Sequence, residues 1–222
     1  MNLTEILKRN REQIGRIFNL QNAQKFFIFD FSASNKELQT MDMENALQAD
    51  QYVKNILREN SADVGIGKYA EDRVIYKHSP LFGTARTIHL GIDIFLPAGT
   101  KVFSPLPATV HSFQNNRGIG DYGPTIILQH DLEGILFFTL YGHLSLESLE
   151  GKTVGQKIAQ GEIIGKIGTL DINGNWPEHV HFQIIADMLG KKGDFPGVCS
   201  RQDREFYLNN CPDPNLILKL QI

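Results

Sequence analysis

The sequence contains little cysteine, which bounds its redox and metal chemistry. Of 222 residues only Cys199 and Cys211 carry thiols, and they stand too far apart for the CxxC pairs of zinc knuckles and redox sites. We therefore expect two reduced thiols. The alternative is a disulfide that closes a short loop, which would need an oxidising compartment.

Long apolar runs are also missing. No segment approaches the roughly 18 apolar residues that span a bilayer. The N-terminal stretch MNLTEILKRNREQIGRIF is charged and amphipathic, without the apolar core and small-residue cleavage site of a secretory signal. These observations predict a cytoplasmic protein without membrane insertion, the alternative being a sequence that begins after a removed signal.

Neither sign of charge dominates. The chain has 22 Lys and Arg against 25 Asp and Glu, a net charge of -3 and a pI near 6.2. A broad basic surface is therefore absent, which argues against nucleic acid as a partner. With 41% hydrophobic and 21% charged residues, the composition is that of a globular protein. Nothing in the sequence fixes an oligomeric state.

Two helical patterns predict an N-terminal helical subdomain over residues 1–67. Apolar residues recur there at steps of three, four and seven, which places them on one face of a helix. A short apolar run at residues 26–31 between the two patterns is a strand or a buried connection. The first pattern comprises Leu3, Ile6, Leu7, Ile14, Ile17 and Phe18, and the second comprises Met43, Ala46, Leu47, Val53, Ile56 and Leu57.

Residues 68–190 have a different character. Short β-rich runs such as RTIHLGIDIF, PTIILQH and HVHFQII alternate with glycine and proline. Strands at this spacing without helices between them predict a mostly antiparallel β domain. Residues 191–222 form a loop-rich tail that we expect to pack on this domain. The predicted fold class is therefore α+β.

Histidines and an aspartate lie at strand spacings within the β domain. His89 and Asp93 in HLGID are four apart, and His179 and His181 in HVH are two apart, so each pair shares one face of a strand. His143 closes another predicted strand in LYGHL. Gly91 carries no side chain that would obstruct a ligand shared by His89 and Asp93. Three β segments can thus bring these groups together.

This set of groups is typical of a catalytic metal site. Two imidazoles and one carboxylate would supply the three protein ligands usual for catalytic zinc, leaving a position for water, whose pKa the metal lowers toward about 7. Spare histidines beside the metal would serve as acid or base. Three other histidines we expect to be structural: His78, His111 and His130.

Residues 86–185 resemble the lysostaphin/LytM-type zinc metallopeptidases. The family's HxxxD motif corresponds to HLGID, its HxH motif to HVHF and its tyrosine-x-His-Leu element to YGHL. The segments PAGTKVFSP, ILQH and VGQKIAQGEIIGKIG match in the same order. One departure is the proline that usually stands directly before HxH, since Pro177 is here separated from His179 by Glu178.

The resemblance implies a role for each matching residue. His89, Asp93 and His181 would be the zinc ligands, and His143 and His179 the catalytic pair. The implied activity is hydrolysis of an amide bond in a peptide, such as a peptidoglycan stem or cross-bridge, by attack of zinc-bound water. The implied fold is a compact, mostly antiparallel β domain with the site in a groove.

Two other functions fit parts of the pattern. A non-catalytic zinc-binding or scaffold domain could keep the same fold, for instance with residues 1–66 folded over the groove. The segments PAGTKVFSPLPATV and VGQKIAQGEIIGKIG also resemble half-motifs of lipoyl and biotinyl carrier domains. A carrier needs a modifiable lysine in a context such as MKM, and no lysine here has that context.

Overall fold

The computed structural model describes residues 2–20, 25–39, 45–76, 81–83 and 85–221. Among the helices in these ranges, none is long and apolar enough to cross a membrane. The described α-helices are α1 (Leu3–Arg9), α2 (Ala46–Glu59), α3 (Arg204–Asn210) and α4 (Asn215–Leu218). The strands are β1 (Phe26–Phe29), β2 (Val64–Gly67), β3 (Arg86–His89), β4 (Ile92–Phe95), β5 (Lys101–Phe103), β6 (Ala108–Asn116), β7 (Gly123–Leu132), β8 (Ile135–Gly142), β9 (Lys157–Ile158), β10 (Ile163–Lys166), β11 (His179–Ile185) and β12 (Val198–Ser200).

Eight of these strands form one large sheet, in the order β1-β2-β4-β11-β8-β7-β6-β9. Neighbouring strands of this sheet pair antiparallel, except that β1 and β2 are parallel. Two antiparallel pairs, β5 with β10 and β3 with β12, complete the β structure. The predicted α+β fold with a mostly antiparallel β domain is confirmed.

Strand β11 lies near the middle of the large sheet and is buried along its whole length. Its side chains alternate between the two faces, as in any strand. Val180 and Phe182 enter the main hydrophobic core, whereas His179 and His181 point to the opposite face. The polar residues of the HVH motif are therefore held in place by a strand whose other face is fixed by the core.

The N-terminal segment is tied into the β domain. Helix α1 ends at Arg9, so the predicted apolar face is helical only in part. The backbone N–H of Gly15 donates to Pro105 (2.7 Å), and that of Phe103 donates to Ile17 (2.9 Å), so tertiary hydrogen bonds replace the helix here. The remaining predicted apolar residues are nonetheless buried in the main core: Ile14, Ile17 and Phe18.

Strands β1 and β2 belong to the large sheet although they precede residue 68. The run at residues 26–31 is thus partly a strand, β1. The second helical pattern corresponds to α2, whose N-cap Asn45 accepts from the backbone N–H of Gln48; Met43 lies outside the described residues. The division at residues 67 and 190 stays a prediction, but the first segment contributes two strands to the sheet that carries the HVH motif.

Candidate metal centre

Three side chains converge on the face of the sheet opposite the main core. Nε2 of His89 lies 3.0 Å from Nδ1 of His181 and 3.2 Å from Oδ1 of Asp93. Nδ1 of His181 lies 3.1 Å from the same Asp93 oxygen. The three atoms thus form a nearly equilateral triangle. All three residues are buried, with at most 4% of their surface exposed.

His89 and Asp93 lie on two different strands, not on the single strand that the sequence predicts. The segment HLGID is not a single strand: His89 ends β3, which pairs with β12, and Asp93 lies in β4 of the large sheet. The two side chains therefore converge across a break at residues 90–91. Gly91 is required there, because a Cβ on it would lie 2.5 Å from Cε1 of His181.

The two histidine rings are oriented by acceptors behind them. Nδ1 of His89 lies 2.9 Å from the carbonyl oxygen of Lys68, which can only accept, so this nitrogen carries the proton. Nε2 of His181 lies 2.9 Å from Oε1 of Gln183, whose amide nitrogen donates to the carbonyl of Pro196. In the neutral rings, the nitrogens that face Asp93 are therefore unprotonated. Such partners are usual behind metal-binding histidines.

The third side chain, Asp93, is held from behind by an arginine. Nη1 of Arg73 donates to Oδ2 of Asp93 over 2.6 Å, and both side chains are buried. Burial alone would raise the pKa of the Asp93 carboxyl, but His89 and Arg73 outweigh it and hold that pKa well below its usual value. Asp93 is thus a carboxylate at neutral pH.

Electrostatics also favour a neutral His89. Burial, and next the nearby Arg73 cation, lower the pKa of His89 from 6.5 to about 4. Metals bind the unprotonated form of imidazole. With both rings neutral, the triangle offers two nitrogen lone pairs and one carboxylate oxygen.

These three donors fit a zinc ion. Lone pairs 3.0–3.2 Å apart with no proton between them repel one another unless a cation lies among them. A tetrahedral zinc with ligands at about 2.0–2.1 Å spaces its donors by about 3.3–3.4 Å, close to the observed triangle. Within the described residues, His89, Asp93 and His181 also form the one group of three or more His, Cys, Asp or Glu side chains close enough to hold a metal.

His143 and His179 stand beside this triangle with their rings 4.2 Å apart between centroids. Nδ1 of His143 lies 2.7 Å from the carbonyl of Asn173, and Nδ1 of His179 lies 2.6 Å from that of Pro177. Both Nδ1 atoms are therefore protonated in the neutral rings, leaving each Nε2 as a proton acceptor. Nε2 of His179 is 3.8 Å from Oδ1 of Asp93.

Burial lowers the pKa of both rings, that of His143 well below its ordinary value, with the neighbouring His179 as the next cause. His143 also adopts a left-handed backbone conformation, with φ 61°. This conformation is unfavourable for a residue with a side chain and tends to occur at functional sites. His143 directly follows the end of β8, and its ring lies beside that of His179.

A cavity of about 250 Å³ opens over the triangle and the two further histidines. The lining includes five aromatic side chains, several from the N-terminal part of the chain: Phe31, Tyr76, Phe82, Phe95 and Trp176. It also includes charged side chains: Arg86, Asp121, Lys191 and Asp194. Trp176 packs edge-on against Tyr76 with 5.9 Å between ring centroids, so the bulky residue near the HVH motif helps to shape this cavity.

The remaining histidines are not part of the cavity as far as the chain is described. His130 is buried and bonded to the carbonyl of Pro107 and the hydroxyl of Thr139. His111 contacts Ser112. His78 lies outside the described residues.

Sequence reasoning did not find three groups that support the site. Gln183 had a usable signal, since it stands two residues after His181 and so shares its strand face. The Lys68 carbonyl had none, because a backbone carbonyl leaves no signal in the sequence, and Arg73 had none, because the segment DRVIYKH reads as a strand. It instead contains a 3₁₀ turn at Val74–Tyr76, and only the tertiary fold brings it against Asp93.

The model of peptidase family M23 matches residues 87–193. Just under half of the chain is therefore similar to peptidase family M23. The resemblance to lysostaphin/LytM-type peptidases is thereby confirmed, while the roles of the five site residues stay predictions. Arg73 and Lys68 precede the part of the chain that the M23 model matches.

Solved structures of similar proteins include several peptidases. A putative peptidase M23 from Pseudomonas aeruginosa is 19% identical over 59% of this chain and 43% of its own, with a TM-score of 0.39. A zinc-containing peptidase from Vibrio cholerae is 24% identical over 47% of this chain and 29% of its own, with a TM-score of 0.37. The catalytic domain of lysostaphin from Staphylococcus simulans is 24% identical over 55% of this chain and 80% of its own, with a TM-score of 0.37.

The chain spans less than half the length of the Pseudomonas and Vibrio proteins. A comparison with curated proteins gives no match.

Proposed function

We propose that this M23 chain is a zinc-dependent peptidase that hydrolyses an amide bond in a peptide. The observation that carries the proposal is the triangle of donor atoms 3.0–3.2 Å apart, each belonging to a side chain whose other polar atom is already bound. His89, Asp93 and His181 would hold the ion. Zinc bound there would supply a Lewis acid for the substrate carbonyl and would activate water.

The two further histidines provide the proton chemistry. Because Nδ1 of His179 and of His143 is committed to a backbone carbonyl, each ring has one free nitrogen, Nε2. A depressed pKa keeps that nitrogen unprotonated at neutral pH, ready to take a proton from water. The same ring, once protonated, can donate to the leaving amine. Their adjacent positions allow the two steps to be divided between them.

The cavity supports a peptide as substrate. Its aromatic side chains suit apolar groups, while Arg86 and Asp121 in the same lining offer charge for polar ends. Peptidoglycan stem or cross-bridge peptides are candidates because residues 87–193 match the M23 family model and resemble lysostaphin/LytM-type peptidases.

A non-catalytic zinc-binding domain is the second candidate. It is favoured by the burial of the site, since all five residues are at most 5% exposed and part of the cavity wall comes from residues that precede the M23 match. An occluded site would bind metal without turning over large substrates. The two candidates differ in turnover, not in zinc binding.

Hydrolysis of a peptide panel distinguishes them. The full chain, loaded with one equivalent of zinc, is incubated with glycine-rich peptides and peptidoglycan stem peptides, and products are separated by mass spectrometry. We expect zinc-dependent cleavage of at least one peptide, abolished in His179→Ala and unaffected in His111→Ala. A zinc-loaded protein that cleaves none of the panel would support the non-catalytic domain instead.

A further inference from the structure

Arg73 is the most deeply buried cation of the described chain. Its side chain is 1% exposed, and each of its nitrogens has a partner. Nη1 donates to Oδ2 of Asp93 (2.6 Å) and to the hydroxyl of Tyr76 (2.7 Å). Nε donates to Oε2 of Glu71 (3.1 Å), and Nη2 to the carbonyl of Lys68 (3.3 Å).

The surroundings fix the plane and position of this guanidinium group. Its central carbon lies 5.0 Å from the ring centre of Phe31 and 5.6 Å from that of Tyr76. Gly67 stands opposite Asp93 in the sheet, and a Cβ on Gly67 would lie only 2.7 Å from Nη2 of Arg73. The absence of a side chain at Gly67 thus makes room for the arginine behind Asp93.

Stability alone does not explain such an arrangement. Removing an ion pair from water costs free energy, and an apolar replacement of similar size is often as stable or more so. Arg73 nevertheless meets two buried carboxylates, Glu71 and Asp93. Glu71 is in turn held by Lys68 and by the backbone N–H of Phe31. The network of ion pairs ends at Oδ2 of Asp93, the carboxylate oxygen that does not face the histidines.

We propose that Arg73 is a positioning residue for the metal site. It holds Oδ2 of Asp93, so that only Oδ1 is available to a metal ion. This inference rests on the proposed zinc site. With Oδ2 engaged by Arg73, Asp93 would offer a bound ion only one oxygen.

The segment 67–76 thereby becomes part of the site although it lies outside the M23 match. Lys68 supplies the carbonyl that fixes the His89 ring, and Arg73 fixes Asp93. Two of the three proposed ligands are oriented by residues five positions apart in this segment. The part of the chain that precedes the family match therefore supports metal binding, in addition to shaping the cavity.

The test measures metal binding by the full chain. Zinc affinity is determined by competition with a chromophoric chelator, and the visible spectrum of the cobalt-loaded protein reports coordination number. Arg73→Met removes the cation with little loss of volume, and Arg73→Lys keeps the charge without the planar fork. Arg201→Gln is the matched control, because Arg201 pairs with Asp72 at the surface and its loss changes net charge equally.

We expect Arg73→Met to weaken zinc binding by about 10–100-fold, the usual effect of losing a partner behind a metal ligand. Its cobalt spectrum should weaken in the visible region as Asp93 becomes bidentate. Arg73→Lys should recover part of the affinity, and Arg201→Gln should match the wild type in both readouts.

Unchanged affinity and spectrum in a folded Arg73→Met protein would overturn the inference while leaving the zinc site intact. If Arg73→Met does not fold, as judged by thermal unfolding of the metal-free protein, Arg73→Lys decides: an affinity and a spectrum identical to those of the wild type would overturn the inference. Absence of zinc binding by the wild type would instead refute the proposed function.

Discussion

His181 and Asp93 are direct cross-strand partners in β11 and β4, and Nδ1 of His181 lies 3.1 Å from Oδ1 of Asp93 although 88 positions separate them. This register places the second histidine of the HVH motif opposite the aspartate of the HLGID motif. A shift by one residue would turn His181 to the main core. The strand pairing therefore sets the candidate metal centre as directly as the motifs do.

Mutation can separate the proposed catalytic pair, His143 and His179, from the proposed zinc ligands. His143→Ala and His179→Ala should each lower kcat for peptide cleavage by at least about 100-fold, the usual effect of losing an acid or base. Neither ring belongs to the triangle of donors, so zinc content should remain at the wild-type level. Parallel loss of zinc and activity in both variants would show instead that these histidines are ligands. His111→Ala, away from the cavity, is the control.

Gln183 should tune metal affinity without touching the metal. Replacing it with methionine removes the acceptor 2.9 Å from Nε2 of His181, so the ring loses the partner that fixes its tautomer. We expect zinc affinity to fall by about 10–100-fold. Tyr122→Phe should have a smaller effect, because its hydroxyl is 3.4 Å from the same nitrogen. Competition with a chelator measures both, and equal affinities across all three proteins would argue against the assigned tautomer.

A substitution at Gly91 tests the packing beside the proposed ligand His181. In Gly91→Ala the new Cβ would lie 2.5 Å from Cε1 of His181 and 2.7 Å from the carbonyl of Phe182, so the ring must move. We expect a loss of about 1–3 kcal/mol in the free energy of unfolding together with weaker zinc binding. Gly118→Ala, where the Cβ would make only ordinary contact, should keep both properties. A stable Gly91→Ala protein with normal zinc affinity would contradict the structure of this turn.

The buried His130 should make the free energy of unfolding depend on pH. Burial lowers its pKa in the folded chain from 6.5 to about 4. As pH falls below 6.5, the unfolded chain gains a proton at this ring and the folded chain does not, so the stabilisation present above pH 6.5 is lost towards pH 4. At pH 5 the loss from this residue is about 2 kcal/mol.

Urea unfolding of the metal-free protein at pH 7 and pH 5 measures this loss. His130→Gln lacks the titrating ring, so its stability should change less between the two pH values than that of the wild type, by about 2 kcal/mol. The same pH dependence in both proteins would mean that His130 does not titrate with a depressed pKa.

Much of the β domain could be predicted because its signals are local. The alternation in HVHFQII places His179 and His181 on one face, and strand β11 confirms it. The N-terminal part was less predictable. Ile14 and Ile17 fit a helical repeat, yet Gly15 and Ile17 bond to the β domain instead, and tertiary contacts of this kind leave no periodic pattern.

The candidate ligands could be predicted from the sequence, but the groups that orient them, such as Arg73, could not. Motif spacing and the family resemblance point to His89, Asp93 and His181, and the structure brings them together. Sequence spacing placed His89 and Asp93 on one strand, whereas a break at Gly91 lets them converge from two sheets. Arg73 was out of reach because its link to Asp93 depends on the packing of a segment 20 positions away.

We propose that this chain holds one zinc ion through the triangle of His89, Asp93 and His181. The most direct test of this proposal is the zinc content of the full chain after loading with excess zinc and exhaustive dialysis against metal-free buffer. We expect about one zinc per chain in the wild type and almost none in His181→Ala, with His130→Gln retaining the metal. A wild-type protein that is folded but free of zinc, or a His181→Ala protein that keeps it, would contradict the account.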